Sequence, residues 1–126
     1  MAQIKIYGLR SHLDGKQHAI SDAIHGCVVE ALDYPVNKRA HRFIKLDADD
    51  FFYPEGRSDQ YTIIEISMFE GRSVAAKKRL IHLLIEALGE QMQIAAQDVE
   101  ITIFETPRRT SKRLSLHNRP ELLQPA

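Results

Sequence analysis

The residues of this chain best suited to bind an anion follow two alternating apolar segments. The stretch EGRS, residues 70–73, follows one segment, and Arg10 with its serine follows the other. A glycine permits a turn and a serine can cap a helix, while a guanidinium beside exposed helix amides can bind a carboxylate. The alternative is a surface arginine, with Arg72 paired to Glu70 or Glu65.

A second candidate reagent lies at the front of the chain. An initiator Met is usually removed when a small residue follows it, so Ala2 would present a free primary amine at the start of a strand. An α-amino group ordinarily has a pKa of roughly 7.7 to 8.0. Partial burial and a nearby Arg10 or Arg72 would lower this pKa toward the range useful for proton abstraction. Two interpretations of the Ala2 amine are therefore open: it is a catalytic base, or it is only the end of the chain and has no catalytic role.

Two strand–helix–strand units must position these residues. In the first unit Ile4 and Ile6 alternate with other residues, as in a half-buried strand. Asp14 is the predicted N-cap of a helix of about 18 residues, which should end before Pro35. Residues 43–46 form the second predicted strand.

The second unit repeats this plan 60 residues later, with Ile64 matching Ile4. Residues 61–69 are predicted to be a strand, and Ser73 to cap the following helix. The buried stripe of that helix consists of Leu80, Leu84, Ala87 and Leu88. Residues 99–103 alternate strictly, and Pro107 should end that strand.

The pattern predicts an α/β fold (α+β in some schemes). Because a helix-length crossover joins parallel strands, two β-α-β units can form a four-stranded mixed sheet with both helices on one face. We expect one domain over residues 1–126, with units at 1–47 and 60–107 and a tail at 108–126. Polar and apolar residues are mixed on the other sheet face, which favours subunits stacked against it.

Composition excludes several classes of function. Seventeen basic residues balance seventeen acidic ones, so the chain has no net charge that would attract nucleic acid or an anionic membrane. The sequence shows no apolar segment near the roughly 18 residues of a membrane span and no signal-peptide pattern. We therefore expect a cytoplasmic protein without a membrane partner. The six histidines show no metal-ligand spacing, so no metal and no cofactor are expected.

The basic tail admits three interpretations. Residues 108–119 contain five Lys or Arg and no acid. A polyanion-binding arm is one possibility, but aromatic residues for base stacking are missing from it. The other two interpretations are a solvated tail and a tail docked on a neighbouring subunit. We prefer these two to a polyanion-binding arm, so we expect no nucleic-acid partner.

Two segments carry a resemblance to a known family. MFEGRSVAAKKRLI, residues 68–81, resembles the strand–turn–helix of the tautomerase superfamily, of the 4-oxalocrotonate tautomerase and malonate semialdehyde decarboxylase type. QIAAQDVEITIFETP, residues 93–107, is similar to that family's final helix-to-strand passage. Together with the front segment MAQIKIYGLRS, the resemblance covers residues 2–107. It implies a tautomerase/MIF-like fold, a homotrimer and sites near strand starts at subunit boundaries.

The resemblance also assigns roles to residues. The family's catalytic residue after Met removal is normally a proline, and Ala2 stands at that position here. Arg72 matches the family's arginine that binds a substrate carboxylate, and Arg10 is its counterpart in the first unit. Malonate semialdehyde decarboxylase has a second arginine where this chain has Glu70, and an essential aspartate where it has Lys38. Some members also place an Asn-Trp-Gly stretch after the last strand, and this chain has no tryptophan.

Two hypotheses of function follow. The first is a tautomerase-superfamily protein that transfers protons on small 2-oxo or enol carboxylates, with Ala2 as catalytic amine, Arg72 and Arg10 as substrate-binding residues, and low or altered activity because alanine replaces proline. The alternative is a non-catalytic trimeric binding or assembly protein that keeps the fold and an anion pocket.

Overall fold

The computed structural model describes residues 2–107; Met1 and the tail of 108–126 lie outside the described residues. Along this part of the chain, helices lie between the first and second strands and between the third and fourth strands. The strands are β1 (Gln3–Leu9), β2 (His41–Leu46), β3 (Thr62–Phe69) and β4 (Val99–Thr106). The helices are α1 (Arg10–Leu13), α2 (Gln17–Leu32) and α3 (Val74–Met92), with 3-10 turns at Ala48–Asp50 and Ala96–Asp98.

The four strands form one mixed sheet in the order β2-β1-β3-β4. Strands β1 and β2 are parallel, as are β3 and β4, which confirms the prediction for each unit. The central pair, β1 and β3, is antiparallel, and Gln3 lies opposite Ser67. The start of β1 therefore lies beside the end of β3.

The core lies between one face of the sheet and the two long helices. Alternate side chains of the central strands point into it, and residues spaced by three or four along α2 and α3 meet them. The fully buried members include Ile4, Ile6, Ile64 and Ile66 from the sheet, Ile20 and Ile24 from α2, and Leu80, Leu84 and Leu88 from α3. Each such side chain contributes about 1.5 to 3 kcal/mol to stability through burial. The predicted fold class is confirmed, with both main helices on one face.

The opposite face of the sheet carries a mixture of residues. Ile63, Glu65 and Phe69 are half-buried there, and Ser67 is exposed. The phenol of Tyr7 donates a hydrogen bond of 2.7 Å to a carboxylate oxygen of Glu65 across the β1–β3 pair. The alternation along β3 thus separates an apolar core face from a polar and aromatic outer face.

The prediction that Asp14 caps the first long helix is wrong. The chain forms the short helix α1 first, and Asp14 is its C-cap, with its N–H donating to the carbonyl of Arg10 at 2.9 Å. Gly15 then turns the chain at a φ of 81°, and Lys16 precedes α2 without a side-chain capping bond. Leu13 is fully buried, so packing rather than capping fixes this turn.

The helix start at Ser73 is confirmed. The Ser73 hydroxyl accepts a hydrogen bond of 3.1 Å from the N–H of Ala76, in the way an N-cap satisfies an unpaired amide. Strand β4 ends at Thr106, directly before Pro107, as predicted.

Candidate functional site

A cleft of about 390 Å³ opens where β1 begins and β3 ends. Its walls come from three places: the start of β1, the C-terminal end of α2 and the turn between β3 and α3. The lining residues are Ala2, Leu32, Tyr34, Met68, Phe69, Glu70, Gly71 and Arg72. The antiparallel pairing of β1 with β3 produces this arrangement, because it places the front of the chain beside the EGRS turn.

Ala2 is a buried residue of the cleft lining. The residue is 6% exposed, and its nitrogen donates a hydrogen bond of 2.7 Å to the phenol oxygen of Tyr34. The strand after it is fixed by the sheet, since the N–H of Ile4 donates to the carbonyl of Ala40 at 2.9 Å. The Ala2 nitrogen is thus held at a defined place in the cleft.

Arg72 reaches the same cleft from the β3–α3 turn. Gly71 has a φ of 122°, which side chains other than glycine rarely adopt, and Ser73 then starts α3. The Arg72 guanidinium donates a hydrogen bond to the backbone carbonyl of Leu32, the last residue of α2. A cation is favoured there because the carbonyl end of a helix carries partial negative charge.

The remaining N–H groups of Arg72 are available for a ligand. A guanidinium carries five N–H donors, and the bond to Leu32 uses one of them. Within residues 2–107 Arg72 forms no ion pair, and Glu65 instead accepts from Tyr7. Arg72 is exposed, as the alternative interpretation expects, but within the described residues it is paired to neither Glu70 nor Glu65.

Glu70 places one negative charge on the wall of the cleft, two residues before Arg72. Its backbone N–H donates to the carbonyl of Thr106 at 3.0 Å, which continues the pairing of β3 with β4. The lining of the cleft therefore includes one arginine and one glutamate, both exposed, while Leu32 and Met68 are buried and Phe69 is half-buried.

Arg10 does not lie at this cleft. It follows the C-terminal end of β1, whereas Ala2 precedes the strand, so a span of roughly 25 Å separates them at the ordinary rise of a strand. Its guanidinium donates to Asp47 at 3.0 Å and to the carbonyl of Lys45 at 3.3 Å. Because β1 and β3 are antiparallel, equivalent turns of the two units lie at opposite ends of the sheet. Within one chain, Arg10 and Arg72 are not brought together.

Tyr34 is the cleft residue that the sequence did not reveal. Pro35 after it predicts the end of the first long helix, and α2 ends at Leu32, two residues before Tyr34. Asp33 adopts a left-handed conformation with a φ of 50°, which turns the chain and directs the next residue toward β1. The available signal was an aromatic residue directly after a helix end, and that signal does not specify a partner in another element.

The histidines among residues 2–107 do not line the cleft. His25 is buried, and its Nε2–H donates a hydrogen bond of 2.7 Å to the carbonyl of Val36. His41 contacts the hydroxyl of Ser21 at 2.7 Å; burial, with His25 and Arg39 nearby, lowers its pKa to about 4. No group of three or more metal-binding side chains occurs within the described residues.

Comparison with solved structures gives a consistent set of neighbours. One neighbour is malonate semialdehyde decarboxylase, from a study of its wild-type form, of a mutant in which alanine replaces its first residue, proline, and of an inactivated form. It is 23% identical in sequence, the alignment covers 83% of this chain and 84% of that chain, and the TM-score is 0.77. FG41 malonate semialdehyde decarboxylase inhibited by 3-bromopropiolate is 27% identical, with 83% of each chain covered and a TM-score of 0.76. A fused 4-OT that forms an asymmetric trimer is 20% identical, with 83% of this chain and 86% of that chain covered and a TM-score of 0.72.

A family model described as tautomerase enzyme matches residues 38–110, which is more than half of the chain. The chain therefore belongs to the tautomerase superfamily. The matched region contains β2, β3, α3, β4 and the whole EGRS turn. Among residues 2–107, no helix is both long enough and apolar enough to cross a membrane.

Proposed function

We propose that this protein transfers protons on small 2-oxo or enol carboxylates, as in keto–enol tautomerisation. In this proposal Met1 is removed, the free amine of Ala2 is the base or acid, and Arg72 binds the carboxylate. The observation that carries the proposal is that Ala2 and Arg72 line one cleft.

The chemistry needs an amine that exchanges a proton near neutral pH. In this proposal the buried position of Ala2 and the positive charge of Arg72 both disfavour the ammonium form of the amine freed by loss of Met1, which would lower its pKa from the ordinary range. In ketonisation the ammonium donates a proton to the enol carbon, the enol oxygen releases its own proton to water as the carbonyl forms, and the amine regains a proton from water. The neutral amine abstracts the carbon proton in the reverse direction.

The walls of the cleft favour a monocarboxylate. One guanidinium can bind one carboxylate through two hydrogen bonds, whereas Glu70 would repel a second negative charge on the same ligand. The half-buried Phe69 offers apolar surface to the remainder of the substrate. An arylpyruvate, with one carboxylate and one apolar group, has this distribution of charge.

We propose that the protein is a cytoplasmic homotrimer in which the chain is a single domain of two units, 1–47 and 60–107. The half-buried aromatic and aliphatic residues on the outer sheet face support contact with another subunit, and a fused 4-OT of similar fold is an asymmetric trimer. Arg10 enters the proposal as a residue of a neighbouring subunit, since its own chain keeps it away from Ala2.

The alternative is a non-catalytic binding protein with the same anion pocket. It is favoured by Ala2 in place of the expected proline, by Glu70 in place of a second arginine and by Lys38 in place of an aspartate. This alternative predicts saturable binding of a small carboxylate without turnover. The variant Ala2→Pro separates the two cases, because recovery of tautomerase activity on restoring the proline would show that the rest of the site is intact.

The test begins with the mass of the purified protein, which must show that Ala2 is the first residue. Ketonisation of an arylpyruvate enol is then followed by ultraviolet absorbance at several protein concentrations. The proposal predicts a rate above the uncatalysed reaction that saturates with substrate. Retention of Met1, or carboxylate binding without any catalysed rate, would overturn it, and the second result would support the binding protein.

A further inference from the structure

The phenol of Tyr34 makes a direct contact with the atom that the proposed function requires. The Ala2 nitrogen lies 2.7 Å from the Tyr34 oxygen and donates a hydrogen bond to it. While Met1 is attached this nitrogen is a peptide amide; we propose that once Met1 is removed Tyr34 keeps the hydrogen bond to the freed amine of Ala2 and so acts as its positioning residue. This inference rests on the proposed function, because it assigns a role at the same site.

The backbone fixes the position of Tyr34 before any contact with Ala2 is considered. Asp33 caps α2 in a left-handed conformation, and the N–H of Tyr34 donates to the carbonyl of Val29 at 3.3 Å. Pro35 follows, with its φ restricted by the ring. The tyrosine is half-buried, so its ring has little freedom and its oxygen remains near the start of β1.

An alanine amine needs such a partner more than a proline amine does. The nitrogen of an N-terminal alanine rotates about its bond to the α-carbon, whereas a proline nitrogen is fixed within a ring. A hydrogen bond to a rigid side chain limits this rotation and directs the remaining N–H groups or the lone pair into the cleft. Proton transfer is sensitive to such orientation, since misplacement by a small distance reduces the rate strongly.

A phenol suits this task because it both accepts and donates. Its oxygen accepts from an ammonium, and its O–H can donate to a neutral amine, so the contact can persist before and after proton transfer. The bond to the ammonium is the stronger of the two because it is assisted by charge. Tyr34 should therefore raise the pKa of the amine relative to a site without the phenol, against the opposite effects of burial and Arg72.

The test compares Tyr34→Phe with Tyr7→Phe in protein whose first residue is Ala2 by mass. Both variants remove a phenol oxygen that forms a hydrogen bond of 2.7 Å, but Tyr7 bonds to Glu65 on the outer sheet face. The pKa of the amine is measured by NMR titration of carbon-13-labelled alanine, following the Ala2 resonance. The pH dependence of ketonisation is measured in parallel.

We expect Tyr34→Phe to lower the pKa of the Ala2 amine by about one unit, the size expected for a charge-assisted hydrogen bond. The alkaline limb of the rate profile, on which the ammonium is lost, should move with it, and kcat should fall about tenfold with KM little changed, because Arg72 still binds the carboxylate. Tyr7→Phe should leave both the titration and the profile unchanged.

The titration separates this inference from the proposed function. An amine pKa that is the same in Tyr34→Phe and wild type overturns the inference even if the protein is an active tautomerase, because a purely packing tyrosine would give that result. A lowered pKa supports the inference even if wild-type protein shows no turnover, in which case the proposed function alone fails.

Discussion

The guanidinium of Arg72 donates a hydrogen bond to the backbone carbonyl of Leu32, which joins the turn after β3 to the C-terminal end of α2. Two segments 40 residues apart in sequence thereby form opposite walls of one cleft. Ala2 lies between them because β1 and β3 are antiparallel. The proposed site depends on this junction as much as on the identity of its residues.

Replacing Arg72 with alanine should weaken carboxylate binding. A charge-assisted hydrogen bond contributes about 1.5 to 3 kcal/mol, so we expect KM for an arylpyruvate enol to rise about tenfold or more. The matched control is Arg79→Ala. Arg79 also donates to a carbonyl of α2, that of Glu30 at 3.3 Å, but it does not line the cleft.

Steady-state kinetics with both variants decide this prediction. Arg79→Ala should keep KM close to the wild-type value, while thermal unfolding shows whether either change affects the fold. Equal KM values in Arg72→Ala and wild type would remove Arg72 from the site.

Two glycine-to-alanine changes should have opposite effects on stability. Gly71 has a φ of 122°, so an alanine there is strained even though no atom obstructs its Cβ, and we expect a loss of about 1 to 3 kcal/mol. Gly26 lies within α2 with open space around its Cβ position, so alanine should add about 0.5 to 1 kcal/mol. Urea unfolding measures both. A Gly71→Ala protein as stable as wild type would contradict the assigned turn.

Stability should fall as the solution is acidified from pH 6.5 toward 4. Burial, then the nearby His25 and Arg39, lower the pKa of His41 from 6.5 to about 4. In this window the unfolded chain binds a proton at His41 that the folded protein does not, so the free energy of unfolding rises with pH. Burial and Lys16 also lower the pKa of His12, which adds to the same trend.

Urea unfolding at several pH values tests this dependence, with His41→Gln as the variant and His18→Gln as an exposed control on α2. His41→Gln should show a shallower dependence between pH 6.5 and 4. Asp22 does not account for the loss of stability between pH 6.5 and 4. Arg39 lowers the pKa of the Asp22 carboxyl from 3.8, so the contribution of Asp22 to stability is lost only at lower pH. Identical slopes in His41→Gln and wild type would contradict the assignment.

The strand–helix–strand units were predictable because their signals are local. Alternation at Ile64 and Ile66, and the serine before α3, indicate a strand and a helix start within a few residues of sequence. The short helix α1 was not predictable in this way, since four residues are too few to show a helical period, and Asp14 was therefore assigned to the wrong helix.

The arrangement of the site was only partly predictable. Arg72 was identified from its turn, but Arg10 has the same local sequence and lies at the other end of the sheet, because the antiparallel pairing of the two units is a tertiary property. The contact between Tyr34 and Ala2 joins residues 32 positions apart, and no local pattern specifies it. Sequence identified the element types, and packing determined which residues meet.

Selective acetylation of the N-terminal amine tests the central claim most directly. Near pH 6 the lysine side chains remain protonated and react slowly, so one acetyl group can be placed on Ala2 and located by mass spectrometry of the N-terminal peptide. We predict that ketonisation of an arylpyruvate enol falls to the uncatalysed rate after this single modification, while the fold is unchanged by circular dichroism. A catalysed rate that survives acetylation of Ala2 would contradict the account.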